Sequence, residues 1–323
     1  MLFKIALLVA LVITLSIATL LFGKTTFSFH ELWQMNHLDK SDYFILFDIR
    51  IPRLITSIYT GILFALAGSI FQALHKNPVA SPDILGVNAT AIFAILFFSH
   101  VFDTQQGLLG YALVGALLGF GLTTLLSTNN GQIDNTRLII IGIALSILFK
   151  ALSQFLVIES KENIHTLLHF LNGTLYQANW QQLSFMSYSV LICITLCLFC
   201  ASYLDVIILP DDISRSIGLP LRFWQIFFIG LALYMSASAI STCGSLGFIG
   251  FIAPNMSRIL FGHSHRSNLY GSILIGCCLV LGADLISRVV FYPLEIPIGI
   301  VLIFIGTPFF LYLLKTMHRN YYG

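Results

Sequence analysis

Charge is what this sequence lacks. Only 9% of its 323 residues are Asp, Glu, Lys or Arg, 14 acidic and 16 basic, against about 25% in an ordinary soluble domain. A soluble chain of this length would leave most of its surface without charged cover, so its main solvent has to be lipid. That excludes a soluble enzyme, a nucleic-acid binder and any sizeable extramembrane domain. The formal net charge of +2 is too small to point to a polyanionic partner. A disulfide framework is missing as well. Cys193, Cys197 and Cys200 share one face of an apolar run, Cys277 and Cys278 are adjacent in another, and Cys243 stands alone. That spacing describes small apolar packing, not paired metal or redox cysteines.

Nucleotide and catalytic motifs are absent too. Ala18-Thr-Leu-Leu-Phe-Gly23-Lys24-Thr25 fits the loose spelling of a P-loop. A phosphate cradle needs a glycine-rich turn between strand and helix, however, and here bulky apolar residues close an apolar run. No HExxH, no GxSxG and no paired aspartates occur inside the apolar runs. The chain is therefore expected to have no catalytic residue, no metal site and no cofactor of its own. If ATP drives it, ATP and Mg²⁺ sit on a partner ATPase. A secondary transporter is the remote alternative, but it would place a coupling carboxylate near mid-membrane, whereas the carboxylates here fall at the ends of runs.

What is abundant is apolar sequence, 57% of the chain. Uncharged stretches cover residues 5–23, 54–74, 84–102, 104–133, 138–158 (interrupted by Lys150), 183–204, 223–257, 269–283 and 296–314. A hydrocarbon core of about 30 Å takes roughly 20 residues of helix. The 35-residue run 223–257 would reach about 52 Å as one helix, so Cys243-Gly244-Ser245 is expected to break it. The total is about ten spans in a single transmembrane domain over residues 1–323. The first run is too long for a signal peptide and no small-residue cleavage site follows, so it reads as a retained helix. Ten spans put both termini on one side. Nine loop Lys and Arg residues against six favour the cytoplasm for that side. Gly115 with Gly119 and Ser272 with Gly276 suit close helix packing in lipid.

Four blocks carry the specific information. The first is Arg50-Ile-Pro-Arg53 followed, after a span, by Gln72-Ala-Leu-His-Lys-Asn77-Pro78-Val79-Ala-Ser81-Pro82-Asp83. Asn77-Pro78 stops a helix, while Ser81, Pro82 and Asp83 suit the start of the next. The second block is Leu209-Pro-Asp211-Asp212-Ile-Ser214-Arg215-Ser216-Ile-Gly218-Leu-Pro220, a capped short helix with a left-handed stop, read as a docking element. The third is the glycine-punctuated Gly244-Ser-Leu-Gly247-Phe-Ile-Gly250 with Pro254-Asn255 and Arg258, an irregular backbone that lipid alone would not tolerate. His263 and His265 follow it and read as a polar loop. The fourth is Asp284-Leu-Ile-Ser-Arg288, one helical turn apart and able to pair, with Pro293-Leu-Glu295-Ile-Pro297-Ile-Gly299. Lys150 is the one charge deep in a run. It either snorkels to an interface or lines a translocation path as a site for an anionic chelate.

In this order and spacing, together with Asn172-Gly-Thr-Leu175 and Trp180, the blocks resemble the FecCD family of permeases, which import ferric siderophores, vitamin B12 or haem. The resemblance runs from about residue 46 to 315. Departures are Asn255 where histidine is common, Val79 for leucine and Asp211-Asp212 for Gly-Glu. The resemblance implies an all-α polytopic protein with the type II ABC importer permease fold in the bacterial inner (cytoplasmic) membrane. It implies a second permease subunit, identical or related, and two ATPase subunits on the cytoplasmic coupling loop 207–222, through Asp211, Asp212, Ser214, Arg215, Ser216 and Gly218. A periplasmic or lipid-anchored binding protein would dock at Arg50, Arg53 and Arg288. The expected cargo is a ferric siderophore, with vitamin B12 or haem as the alternative.

Overall fold

The computed structural model describes residues 2–23, 25–30, 39–104, 106–129, 132–160, 164–209, 213–214, 219–262, 264–290 and 294–322. Its helices are α1 (Leu2–Leu21), α2 (Lys40–Leu74), α3 (Val87–Phe102), α4 (Leu108–Ser127), α5 (Asn135–Glu159), α6 (Ile164–Leu171), α7 (Trp180–Phe199), α8 (Ala201–Ile207), α9 (Leu221–Cys243), α10 (Ile249–Phe261), α11 (His265–Val289) and α12 (Ile298–Tyr322). Seven of them are long and apolar enough to cross a membrane: α1, α2, α4, α5, α7, α9 and α11. Val87–Phe102, Ile249–Phe261 and Ile298–Leu313 are shorter apolar helices. Together these ten segments, among the described residues, match the ten expected spans.

Local chemistry sets several boundaries. Asp134 caps α5 by accepting the backbone N–H groups of Thr136 and Arg137, at 2.9 and 3.2 Å. Asn179 caps α7 through the N–H of Gln182. Within α2, Ile45–Arg50 widens to a π-helical turn just before Pro52. A proline lacks the amide for the regular ladder, and the wider turn absorbs that loss. The long run 223–257 does break where expected: α9 ends at Cys243 and Gly244 turns away at φ 72°.

Two local expectations change. Residues 75–86 form consecutive turns and α3 begins only at Val87, after Gly86 at φ 82°. Asp83 therefore lies ahead of the helix, not in its first turn. The run 104–133 ends in a small antiparallel hairpin, Thr128–Asn129 against Gln132–Ile133.

The core is built on close backbone approaches. A Cβ on Gly61 would lie 2.6 Å from the Gly276 carbonyl oxygen, and one on Gly68 would lie 1.9 Å from that of Gly250. Helix α2 thus touches α11 and α10 backbone to backbone, and its middle is almost wholly buried. The Gly115/Gly119 pair does the same for α4, against Thr90 of α3. Cys193, Cys197, Cys243 and Cys277 are buried free thiols packed in the apolar core. Without a hydrophobic force between helices in lipid, such contacts carry the packing. Gly68→Ala is expected to force α2 from α10 and cost about 1–3 kcal/mol or more. Gly121→Ala, where nothing lies within 4 Å, should be neutral. Thermal unfolding of the two purified variants in detergent checks the contrast.

Candidate functional site

Polar side chains gather at three levels of this apolar bundle. At one end, the start of α2 meets the ends of α1 and α11. Arg53 donates from Nε to Asp284 Oδ1 at 2.8 Å and from Nη1 to Glu295 Oε2 at 3.0 Å. Arg288 Nη2 lies 2.8 Å from Asp284 Oδ2 and also donates to the carbonyl of Thr19. Arg50 donates to the carbonyls of Leu20 and Thr25 and to Thr25 Oγ1, and its guanidinium sits 4.6 Å over the Phe27 ring. The three arginines expected at a docking surface do converge, but they are only 5–7% exposed and their donors are engaged within the chain. Asp284 is shared. It pairs along its own helix with Arg288, as the spacing allowed, and across the fold with Arg53. Among the described residues, three guanidinium groups face two carboxylates there.

Halfway through the bundle, three irregular segments interlock. The amide of Thr174 donates to the Cys243 carbonyl at 2.8 Å, and that of Ile298 to the Gly173 carbonyl at 3.0 Å. Gly244 and Gly173, both at positive φ, leave no room for a Cβ beside Phe170 and Ser245, and a Cβ on Gly299 would lie 2.0 Å from the Asn172 carbonyl oxygen. Phe248 also holds a left-handed conformation, φ 67°. That is a strained state worth about 1–3 kcal/mol for a bulky residue, and such strain tends to mark functional sites. The backbone groups freed by the breaks bond to one another, as lipid requires. A cavity of about 150 Å³ opens beside this knot, and Lys150 lines it. Lys150 is exposed in the isolated chain, about 22 Å along α5. One signal for this placement was present but unread: Ser146, Lys150, Ser153 and Gln154 form a polar stripe at helical spacing.

The opposite end holds a second network. Gln72 donates to the carbonyls of Gly250 and Phe251 and accepts from Arg258 at 2.5 Å. Asn255 donates to the Pro78 carbonyl at 2.8 Å, tying the 75–86 link to α10. Lys76 reaches the carbonyl of Leu209, and Ser214 that of Val206. Of the expected coupling residues, Ser214 is thus buried and anchored to α8, whereas Asp211, Asp212, Arg215, Ser216 and Gly218 lie outside the described residues. His263 also lies outside them. His265 is not a loop residue: it opens α11, buried, with Nδ1 2.8 Å from Asp205 Oδ1.

A family model described as the FecCD transport family matches residues 8–316. The chain is 32% identical to the iron-uptake system permease protein FeuC of Bacillus subtilis, over 96% of both chains. It is also 32% identical to the Fe(3+) dicitrate transport system permease protein FecD of Escherichia coli, over 88% of both. A solved structure described as an inward-facing conformation of a metal-chelate type ABC transporter superposes with a TM-score of 0.82 at 27% identity. That match covers 97% of this chain and 99% of the other.

The shared carboxylate yields a graded expectation. Asp284→Asn leaves Arg53 and Arg288 buried without full compensation, and breaking such a pair costs about 3–5 kcal/mol. Arg288→Met leaves Asp284 bonded to Arg53 and should cost clearly less. Thermal midpoints in that order, measured in detergent, are the check.

Proposed function

We propose, since this chain belongs to the FecCD transport family, that it is the permease subunit of an ATP-driven importer carrying a ferric siderophore across the cytoplasmic (inner) membrane. The observation that carries this reading is the likeness of fold, along the whole chain, to a metal-chelate type ABC transporter. Relatives named for iron uptake and ferric dicitrate favour a ferric chelate over vitamin B12 or haem. In this reading both termini are cytoplasmic, the Arg53 end faces outward and the Lys76 end faces the cytoplasm. A second permease subunit, the same chain or a related one, completes the path. Two ATPase subunits holding ATP and Mg²⁺ dock on residues 207–222, and this chain binds no cofactor.

A binding protein is received at the outer end, where among the described residues Arg50, Arg53 and Arg288 outnumber the carboxylates Asp284 and Glu295 by one. An acidic partner surface would feel that charge chiefly in its association rate and salt dependence. Because Arg53 and Arg288 also hold Asp284, they act there as parts of a rigid rim and not as free side chains. Lys150 lines the path at mid-depth, where an ammonium favours an anionic chelate and where a lipid-facing position would cost about 2.5–3.5 kcal/mol.

The deciding experiment is reconstitution with a candidate ATPase and binding protein. Uptake of a ferric chelate is expected only with the ATPase and ATP present. Uptake by this chain alone under an ion gradient would overturn the reading. Coupling has its own test. The punctuation of residues 211–220 expects Gly218 at a left-handed stop, where Gly218→Val costs about 1–2 kcal/mol. That variant should keep binding-protein docking and lose transport-coupled ATP hydrolysis. Normal coupling in correctly inserted protein would remove the loop from the mechanism.

A further inference from the structure

The cavity that Lys150 lines is lined by an acidic residue as well. Asp83, in the turns before α3, faces the same space, together with Ser153, Gln154, Asn172 and Ser245. The Asp83 carbonyl accepts Ser146 Oγ at 3.1 Å, so the link is fastened to α5 one turn from Lys150. Its carboxylate is pressed against the helix break: a Cβ on Gly247 would lie 3.0 Å from Asp83 Oδ2. Within the described residues neither charge is neutralised by contact. The Asp83 carboxylate accepts no hydrogen bond, the Lys150 ammonium donates none, and the two are not joined in an ion pair, though both line the one cavity. The polar stripe Ser146, Lys150, Ser153, Gln154 runs along a helix whose other exposed residues include Ile147, Leu148, Phe155 and Ile158. A stripe of that kind belongs to a wet cavity and not to lipid.

We propose that Asp83 is the internal counter-ion of Lys150 and that the two together set the charge selectivity of the path. The proposal rests on the permease reading above. A lone ammonium at mid-depth would hold an anionic chelate too well. A path works only when binding is strong enough to admit cargo and weak enough to release it. Asp83 competes with the cargo for Lys150 and so supplies the release. Removing Asp83 leaves a cationic site, which admits anionic cargo at lower concentration but turns over slowly. Removing Lys150 leaves an anionic site that rejects it. Removing both leaves a site indifferent to charge.

The test has two arms. In the first, Lys150→Cys is made in the full-length protein in membranes, with and without Asp83→Asn. Labelling at position 150 by a cationic and an anionic methanethiosulfonate is then followed by mass spectrometry, normalised to each reagent's rate on a free thiol. The cationic reagent should react several-fold faster, and the isosteric Asp83→Asn should erase the difference. This arm needs no transport and holds whatever the cargo is. A ratio unchanged by Asp83→Asn overturns the pairing.

The second arm compares uptake of an anionic and a neutral ferric siderophore by the assembled transporter. Lys150→Met should raise KM for the anionic chelate about tenfold, the scale of losing a unit charge in a partly wet cavity. Asp83→Asn should lower that KM and kcat together, and the double variant should return the anionic-to-neutral KM ratio to near one. Single variants inserted at wild-type levels, each with the wild-type ratio, overturn the selectivity role. Failure of the wild-type assembly to import either chelate with ATP, beside a positive labelling result, would instead count against the permease reading.

Discussion

Backbone contact between α2 and α11 is the constraint from which the rest of the bundle takes its register. The two helices run antiparallel and meet where Gly61 and Gly276 leave no space for a side chain. Arg53 lies as far before Gly61 as Asp284 lies after Gly276, about 12 Å of helix in each case. Closing the glycine contact therefore delivers the guanidinium to the carboxylate. Toward the other end, Ser69 Oγ reaches Ser272 Oγ at 3.2 Å, and Gln72 meets α10 just beyond the Gly68–Gly250 contact. The arginine cluster and the Gln72 network are thus two ends of one lever. Neither forms unless the glycines let the helices touch.

Lipid explains why the polar groups sit where they do. Unsatisfied backbone groups and lone charges are expensive in hydrocarbon, so each departure from regular helix has to be answered inside the protein. The π turn before Pro52 passes directly into residues whose side chains form the arginine cluster. The break at Gly244 is answered by Thr174, and the start of α12 by the carbonyl of Gly173. The breaks at Gly173, Gly244 and before α12 meet beside a small cavity. A bundle serving only as an anchor would have no use for that arrangement, whereas a path through the membrane does.

Much of this was legible from residues alone, and what was not has a common cause. Charge-free runs located ten spans and even the break at 243–245, because hydropathy and helix length are local quantities. The Asp284–Arg288 pair was legible for the same reason. Its third member was not, since Arg53 lies in another helix and only tertiary packing brings it close. His265 read as part of a polar loop because its partner, Asp205, is likewise distant in sequence. Asp83 was misread in a more instructive way. Ser81-Pro82-Asp83 has the residue types of a helix start, and Ser81 Oγ does accept weakly from the Ile84 amide at 3.4 Å. The left-handed Gly86 nevertheless postpones the helix to Val87, and the carboxylate is left facing the cavity. The stripe from Ser146 to Gln154 was readable but was eclipsed by its one charged member.

The two halves of the bundle are held together in different ways, and that difference bears on how a push from the cytoplasm would travel. The flank of residues 207–222 is bonded through Lys76 to the link just after α2, and α8 beside it is bonded to α11 through His265. Helices α2 and α11 touch backbone to backbone, so displacement at that flank reaches them as one body, with α10 attached through Gly68 and Gln72. Helices α3, α4 and α5 form a second group: Gly115 and Gly119 of α4 meet Thr90 of α3, α5 packs on both, and a Cβ on Gly142 of α5 would lie 2.3 Å from the Ile84 carbonyl oxygen of the link. The residues 75–86 connect the bodies: Asn255 grips that link at Pro78 and Ser146 grips it at Asp83. Helix α9 spans both groups as well, packing on α2 and on α3 and α4. Asp83 lies at the far end of the link, against Gly247 of the first body, and lines the same cavity as Lys150 of the second. The two side chains thus line one cavity where the link, α5 and the break before α10 meet.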